Sequence, residues 1–296
     1  MVYNYANISC YFDLLINGDV MKYYDLSNDK YLVEPENNGL KFLYNNVFGR
    51  LILKLITLKF IVNLYAKYQN SKLSKHKIKK FIKKNNINMD EYIEKDYNSF
   101  NDFFMRQIKP EKRTIENGFI SPCDAKLSIY KIDDNLSLHV KNSIYTIDEL
   151  IDGDSSEFKN GYALVYRLGV TDYHHYIYPF SGKVISSKYI KGKLHTVQPI
   201  ALKKYKVFSE NSREVTIVES SLYGKVAIIE VGAMMIGRIV NETADIFNKG
   251  DEKGHFEFGG STIIYLFSNK ININQKILEM TNNDIEVIVK MGENLE

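Results

Sequence analysis

Two cysteines in 296 residues, Cys10 and Cys123, are too few and too far apart for a disulfide framework or a four-cysteine zinc site. They point to a reducing compartment. No uncharged apolar run approaches the roughly 18 residues that a membrane-spanning helix needs, so no span is expected. The N-terminus lacks a basic stretch followed by an apolar one, so no secretory leader is expected either. Walker-type and dinucleotide-type glycine motifs are missing, as is the HExxH or HxxxH spacing of a helical metal site, and no metal is expected. There are no repeats at a fixed period. Excess charge of one sign is also nearly missing: the net charge of +3 gives no global polyanion-binding character.

What is present is a globular composition, 45% hydrophobic and 25% charged, in a chain long enough for one large domain or two. The small net charge hides an uneven distribution. From Arg50 to Lys84 there are eleven lysines or arginines and no acidic residue. The stretch begins with the apolar run Arg50 to Val62, interrupted by Lys54 and Lys59. It continues into Ser71 to Lys84, where Leu73, Ile78, Phe81 and Ile82 alternate with lysines. An apolar helix beside a basic amphipathic one suits the plane of an anionic membrane, at roughly 1 kcal/mol per basic residue near the surface. The plainer reading is a buried helix followed by a solvated, lysine-rich one. Nucleic acid is not an expected partner, because arginines are scarce here and aromatic interleaving is poor.

Ser99 is placed to cap a helical turn through Phe100 to Met105, with Pro110 closing the helical part of the chain. From about Ile120 the pattern changes to short β-branched and aromatic runs. They are Lys126 to Tyr130, Ser137 to Val140, Ala163 to Leu168, Lys183 to Ile190, Glu214 to Glu219, Lys225 to Val231 and Ser261 to Phe267. The expected class is α+β: a helical, basic, membrane-associating region over residues 1–115, then a mostly antiparallel β core over residues 116–296.

Three segments carry candidate chemistry. In Phe258-Gly259-Gly260-Ser261-Thr262, two glycines precede a hydroxyl residue at the start of a strand. Glycines permit a strained turn that presses the Ser261 Oγ onto the Gly260 carbonyl carbon. Attack there yields an ester, then β-elimination, chain cleavage and a pyruvoyl group at residue 261. The same four residues also make an ordinary tight turn. Ser121-Pro122-Cys123-Asp124 delivers a carboxylate just before a strand. Thr171-Asp172-Tyr173-His174-His175 holds two of the six histidines, and adjacent strand residues face opposite ways, so one imidazole can face a site while the other does not. Asp124, His174 and Ser261 together supply the carboxylate, base and attacking oxygen of a charge-relay arrangement, which is also the equipment of a serine hydrolase.

From about Phe100 onward the chain resembles the phosphatidylserine decarboxylase proenzymes, especially those of clostridia. The resemblance rests on FNDFF-R (Phe100 to Arg106), K-P-x-x-R (Lys109 to Arg113), SP-x-D (Ser121 to Asp124) and TDYH (Thr171 to His174). It continues through PIAL (Pro199 to Leu202), EVGA (Glu230 to Ala233), KGDEKG (Lys249 to Gly254), FGGST (Phe258 to Thr262) and MGE (Met291 to Glu293). It implies a β-rich catalytic domain that cuts itself between Gly260 and Ser261, leaving chains 1–260 and 261–296 and a pyruvoyl cofactor made from Ser261. It further implies decarboxylation of phosphatidylserine to phosphatidylethanolamine, with the cofactor as electron sink and His174 as proton donor to the product carbanion. The expected setting is peripheral, on the cytoplasmic side of the cell membrane; a homo-oligomer stays open.

The sequence departs from the family pattern at two positions. Ala125 stands where glycine usually follows the aspartate, and Ile177 stands where the common YHRFH has its second histidine. Ile177 cannot transfer a proton, so His174 is expected to act alone, on the face of Asp124 and Ser261, with His175 pointing away. Participation of His175 or His255 is the alternative. A homologue that only binds anionic phospholipid and does not process is the remaining one.

Overall fold

The computed structural model describes residues 3–4, 20–141, 143–234, 238–268 and 270–296; Cys10 lies outside the described residues. The chain opens with strands β1 (Tyr3–Asn4), β2 (Val20–Asp25) and β3 (Lys30–Pro35). Helices α1 (Asn38–Asn45), α2 (Val47–Ile56), α3 (Lys59–Asn70), α4 (Lys77–Asn85) and α5 (Phe100–Phe104) follow. Next come β4 (Ala125–Lys131), β5 (Ser137–Val140), β6 (Ser143–Thr146), α6 (Ile147–Ile151), β7 (Tyr162–Leu168), β8 (His175–Ile177) and β9 (Gly182–Ile190). The last part contains α7 (Pro199–Leu202), α8 (Val207–Glu210), β10 (Arg213–Ser220), β11 (Gly224–Gly232), β12 (Ile239–Asn241) and β13 (Ile246–Phe247). It ends with β14 (Glu252–Phe256), β15 (Ser261–Phe267), α9 (Gln275–Asn282) and β16 (Glu286–Val289).

Six of the seven β-branched runs become strands of the main sheet with partners on both edges, and the seventh, β5, pairs with β6 in a two-stranded sheet. In the main sheet the order is β1-β3-β2-β16-β4-β7-β15-β11-β10-β9-β13, and every pairing is antiparallel except β16 with β2. The seven expected strands are all there; β5 and β15 match end to end, and the other five extend by a residue at one or both ends. β15 runs through the middle of the sheet with all seven residues buried. Its side chains alternate between two cores, as the strand period of two requires. Ile263, Tyr265 and Phe267 join the cluster with Phe119, Tyr176 and Phe256. Ile264 and Leu266 join the other, with Tyr145, Val197, Tyr44 and Leu53. A second small sheet, β12-β14-β8, brings the TDYH segment beside the strand that leads into FGGST.

The expectation of helix before residue 115 fails at residues 20–35. There β2 and β3 form a hairpin, and β2 lies parallel to β16, with Tyr23 opposite Glu286. Tyr23 and Tyr24 are buried, and the Tyr23 hydroxyl meets Arg167, which forks onto Glu286. Short mixed strands of this kind are decided by their partner, here more than 250 residues away. The Ser99 cap is as expected, its hydroxyl accepting from Asp102 N at 3.1 Å. The helix closes at Phe104, however, and Pro110 instead opens a separate 3-10 turn.

The apolar helix α2 is not buried. Only Gly49 and Leu53 are covered. A Cβ on Gly49 would lie 1.9 Å from the Phe42 carbonyl oxygen, so glycine here lets α1 and α2 approach closely. Phe48 (72% exposed), Leu51, Leu55, Leu58, Phe60 (76%) and Leu64 face outward on α2 and α3. None of the described helices is long and apolar enough to cross a membrane.

Candidate active site

Ser261 is the first residue of β15, fully buried, paired with Leu168 of β7 on one side and Gly232 of β11 on the other. Its Oγ has no hydrogen-bond partner, and neither does the Thr262 Oγ1 beside it. Tyr145, Ser155, Tyr166 and Tyr265 also have buried hydroxyls without a partner, so what sets Ser261 apart is its place directly behind two glycines at the start of the central strand. The two preceding glycines differ in what they permit. Gly259 has φ +147°, a conformation that side chains disfavour, whereas a Cβ on Gly260 would only touch Val197 at an ordinary 3.6 Å. The conformation that only glycine adopts freely therefore sits at Gly259.

His174 is also fully buried, with its ring 4.2 Å from that of Phe104. Its Nδ1 donates to the Asp172 carbonyl at 2.8 Å, because a carbonyl can only accept. That bond assigns the tautomer and leaves a lone pair on Nε2, which is buried without a partner. Burial pushes the imidazole down to about 4, against smaller upward contributions from Asp172, so the ring is neutral at pH 7. A neutral imidazole with an unspent nitrogen is what a general base requires. The segment leading to Ser261 packs against it: Phe256 N donates to the His174 carbonyl at 3.0 Å, and Phe258 lies on Phe104 at 5.1 Å.

His175 goes elsewhere. Its ring stacks between Tyr173 and His255, with Nδ1 2.7 Å from Glu252 Oε1 and Nε2 3.1 Å from the Met105 carbonyl. Asp124 does not meet a histidine. Arg113 forks onto it at 3.1 and 2.6 Å, Lys290 reaches it at 3.1 Å, and Met291 N donates at 2.9 Å. Burial raises its carboxyl, but Lys290 and Arg113 outweigh that and hold it below the usual carboxylate range. Thus the structure gives His174 the Asp172 backbone as its orienting partner and gives Asp124 a cationic cage. Ile177 is buried beside the SP-x-D turn, its N–H donating to the Pro122 carbonyl at 2.9 Å.

Comparison with known proteins gives the family. Residues 100–295 match the family model for phosphatidylserine decarboxylase. The chain is 46% identical over 278 residues to phosphatidylserine decarboxylase proenzyme 2 of Clostridium acetobutylicum, covering 92% of this chain and 96% of that one. It is 38% identical to the proenzymes of Fusobacterium nucleatum (86% and 89% covered) and Clostridium tetani (93% and 98%). The chain belongs to the phosphatidylserine decarboxylase family.

The family's motifs, scattered in sequence, converge in two places. K-P-x-x-R, SP-x-D and MGE meet where Arg113, Asp124 and Met291 bond. FNDFF-R, TDYH and FGGST meet where Phe104 touches His174 and Phe258, and where Asn101 Oδ1 accepts from Phe258 N at 2.9 Å. Arg113 and Phe104 lie inside family motifs, but no spacing rule in the sequence links either one to a partner so far along the chain.

Proposed function

We propose that this chain is the proenzyme of a phosphatidylserine decarboxylase, in which Ser261 attacks the Gly260 carbonyl and becomes a pyruvoyl group. The observation that carries the reading is the position of the buried Ser261 behind the positive-φ Gly259 at the start of the central strand, in a chain of this family. His174 Nε2 takes the proton from Oγ as the Oγ–carbonyl bond forms; the Gly260–Ser261 C–N bond breaks and the freed amine takes a proton. Loss of the Ser261 Cα proton then expels the Gly260 carboxylate from Cβ. Water replaces the nitrogen of the resulting enamine, releasing ammonia.

The residues present suit the group. Ser261 has no competing bond to break, and Phe104 packs on both the His174 ring and Phe258. The group supplies an electrophilic carbonyl that takes the substrate amine and accepts the electron pair left as carbon dioxide departs. His174 then returns a proton to the substrate carbon, in a pocket from which the aromatic rings exclude water. Asp124, held ionised by Arg113 and Lys290, anchors the C-terminal MGE turn to the SP-x-D turn and so positions the site. After the cut, β15 would remain between β7 and β11, which keeps chains 1–260 and 261–296 in one molecule.

The same proposal divides the chain into a membrane-associating region (1–115), whose hairpin serves the catalytic sheet, and a catalytic domain (116–296). The outward apolar residues of α2 and α3, with Arg50 and Lys54 among them, suit the face of an anionic bilayer at the cytoplasmic side of the cell membrane. A groove of about 930 Å³ lies between α2 and the segment Gly192 to His195, lined by Leu51, Leu58, Arg50, Lys54, Lys193 and Tyr205. A lipid entering there would set its phosphate among Arg50, Lys54 and Lys193. The test is a denaturing gel with mass spectrometry: wild type should split into residues 1–260 and 261–296, the latter with a blocked N-terminus. Ser261→Ala should stay whole and inactive. An active wild-type preparation made only of uncut chain overturns the proposal.

A further inference from the structure

We propose that His175, Glu252 and His255 form a binding site for a divalent cation of the zinc class, tying β8 to β14. Their ligating atoms all lie within 4.8 Å of one another. The Met105 carbonyl, 3.1 Å from His175 Nε2, can only accept, so Nε2 holds a proton there and Nδ1 is the nitrogen whose lone pair can serve a ligand. That lone pair faces the Glu252 carboxylate at 2.7 Å. Two electron-rich atoms this close need an electrophile between them, which is a proton or a metal ion. A proton alone gives no reason for a third donor, yet the His255 ring lies 4.9 Å from that of His175. A ligating histidine whose other nitrogen donates to a backbone carbonyl is also the common arrangement around protein-bound zinc.

The backbone is shaped to gather these groups. His255 stands directly opposite His175 across the β8–β14 pair. Residues 252 and 255 are three apart, so in a regular strand they would face opposite ways. The register shift between Glu252 and Gly254 corrects this and turns both toward His175. It also sends Lys253 inward, where it pairs with the buried Glu230 at 2.7 Å. Two imidazoles and one carboxylate are a borderline-soft donor set that favours zinc over magnesium or calcium and leaves a fourth position for water. The Glu252 side chain is half exposed, which leaves it free to open to the roughly 2.0–2.2 Å bonds that zinc requires and gives the ion a route in. Bound there, the cation would pin the strand next to His174 to the strand that runs into Gly259–Ser261.

The test uses the full-length, untagged Ser261→Ala protein, which is a single species whether or not wild type processes itself; failure here and failure of the processing proposal are thus read separately. Metal-free protein is titrated with zinc by calorimetry and against a chromophoric chelator. The expected result is one ion per chain at micromolar affinity or better, with a melting temperature that rises with free zinc. Adding His255→Phe, which preserves the ring stack, or Glu252→Gln should weaken binding by roughly tenfold or more, while the metal-free melting temperature of the His255→Phe protein stays put. Cobalt should give the intense visible bands of a tetrahedral site in the parent protein and not in the His255→Phe protein. No stoichiometric binding at about 100 µM zinc, or an affinity in both variants equal to that of the parent protein, overturns the proposal and leaves His175 and Glu252 as a plain ion pair.

Discussion

Strand β15 and helix α2 are both nearly unbroken apolar runs, yet β15 is buried along its whole length while α2 covers only Gly49 and Leu53. The difference lies in how many sides the fold can cover. A central strand has neighbours on both edges and a core on each face; a helix laid on the outside of a sheet has one covered stripe, and its other stripes must meet whatever lies beyond. Burial of β15 is consistent with a role in which water must be kept from Ser261. Exposure of α2, flanked by cations and no acidic residue, is consistent with a second solvent, the bilayer.

The largest expected effect is at the buried end of this comparison. His174→Ala should slow self-cleavage by roughly a hundredfold or more, the usual loss of a positioned base, while His175→Ala should be mild. A gel time course after synthesis reads both; equal rates in wild type and His174→Ala would remove the base from the mechanism. Next, the two apolar runs should respond oppositely to truncation. Ile264→Ala in β15 should lower unfolding free energy by about 2–5 kcal/mol, whereas Leu55→Ala on the outer face of α2 should stay within about 0.5 kcal/mol in urea titrations. Similar losses would mean that the outer face is covered in solution.

The surface end can be broken separately. Changing Phe48, Leu51 and Phe60 together to serine should weaken binding to anionic vesicles by at least about tenfold, since each side chain is worth about 1.5–3 kcal/mol when buried. Added salt should weaken wild-type binding too, because it screens the basic residues. Undiminished binding by the triple variant would move the docking surface elsewhere. The smallest effect concerns pH. The buried His174 is pushed down to about 4, below the ordinary value of 6.5 that it has when unfolded. The unfolded chain therefore binds the extra proton first as pH falls from 6.5 toward 4, and stability is lost over that window. His174→Gln should flatten that part of the stability profile; an unchanged slope would place the titration on other groups.

Much of this was legible in the chain itself. β-branched runs marked seven strands because a pleated, half-buried surface rewards the same residues wherever they lie. The FGGST turn was legible because glycine before a strand announces a special backbone, although only the fold showed that Gly259 and not Gly260 takes the unusual φ. The hairpin at residues 20–35 was not legible, since its strands are short and their partner β16 lies at the other end of the sequence. Nor was the pairing of Asp124 with Arg113 and Lys290 in place of a histidine.

The amino-acid sequence by itself determined the β-rich second half, the basic and apolar character of the first, and the serine at which the chemistry is proposed. These are properties of local pattern and residue type. Only the tertiary structure decided which nitrogen of His174 stays free, which face of α2 is left uncovered, and that Glu252 and His255 turn to the same side as His175. Each depends on where a distant backbone carbonyl, strand or bulge comes to rest, and short-range pattern carries no record of that.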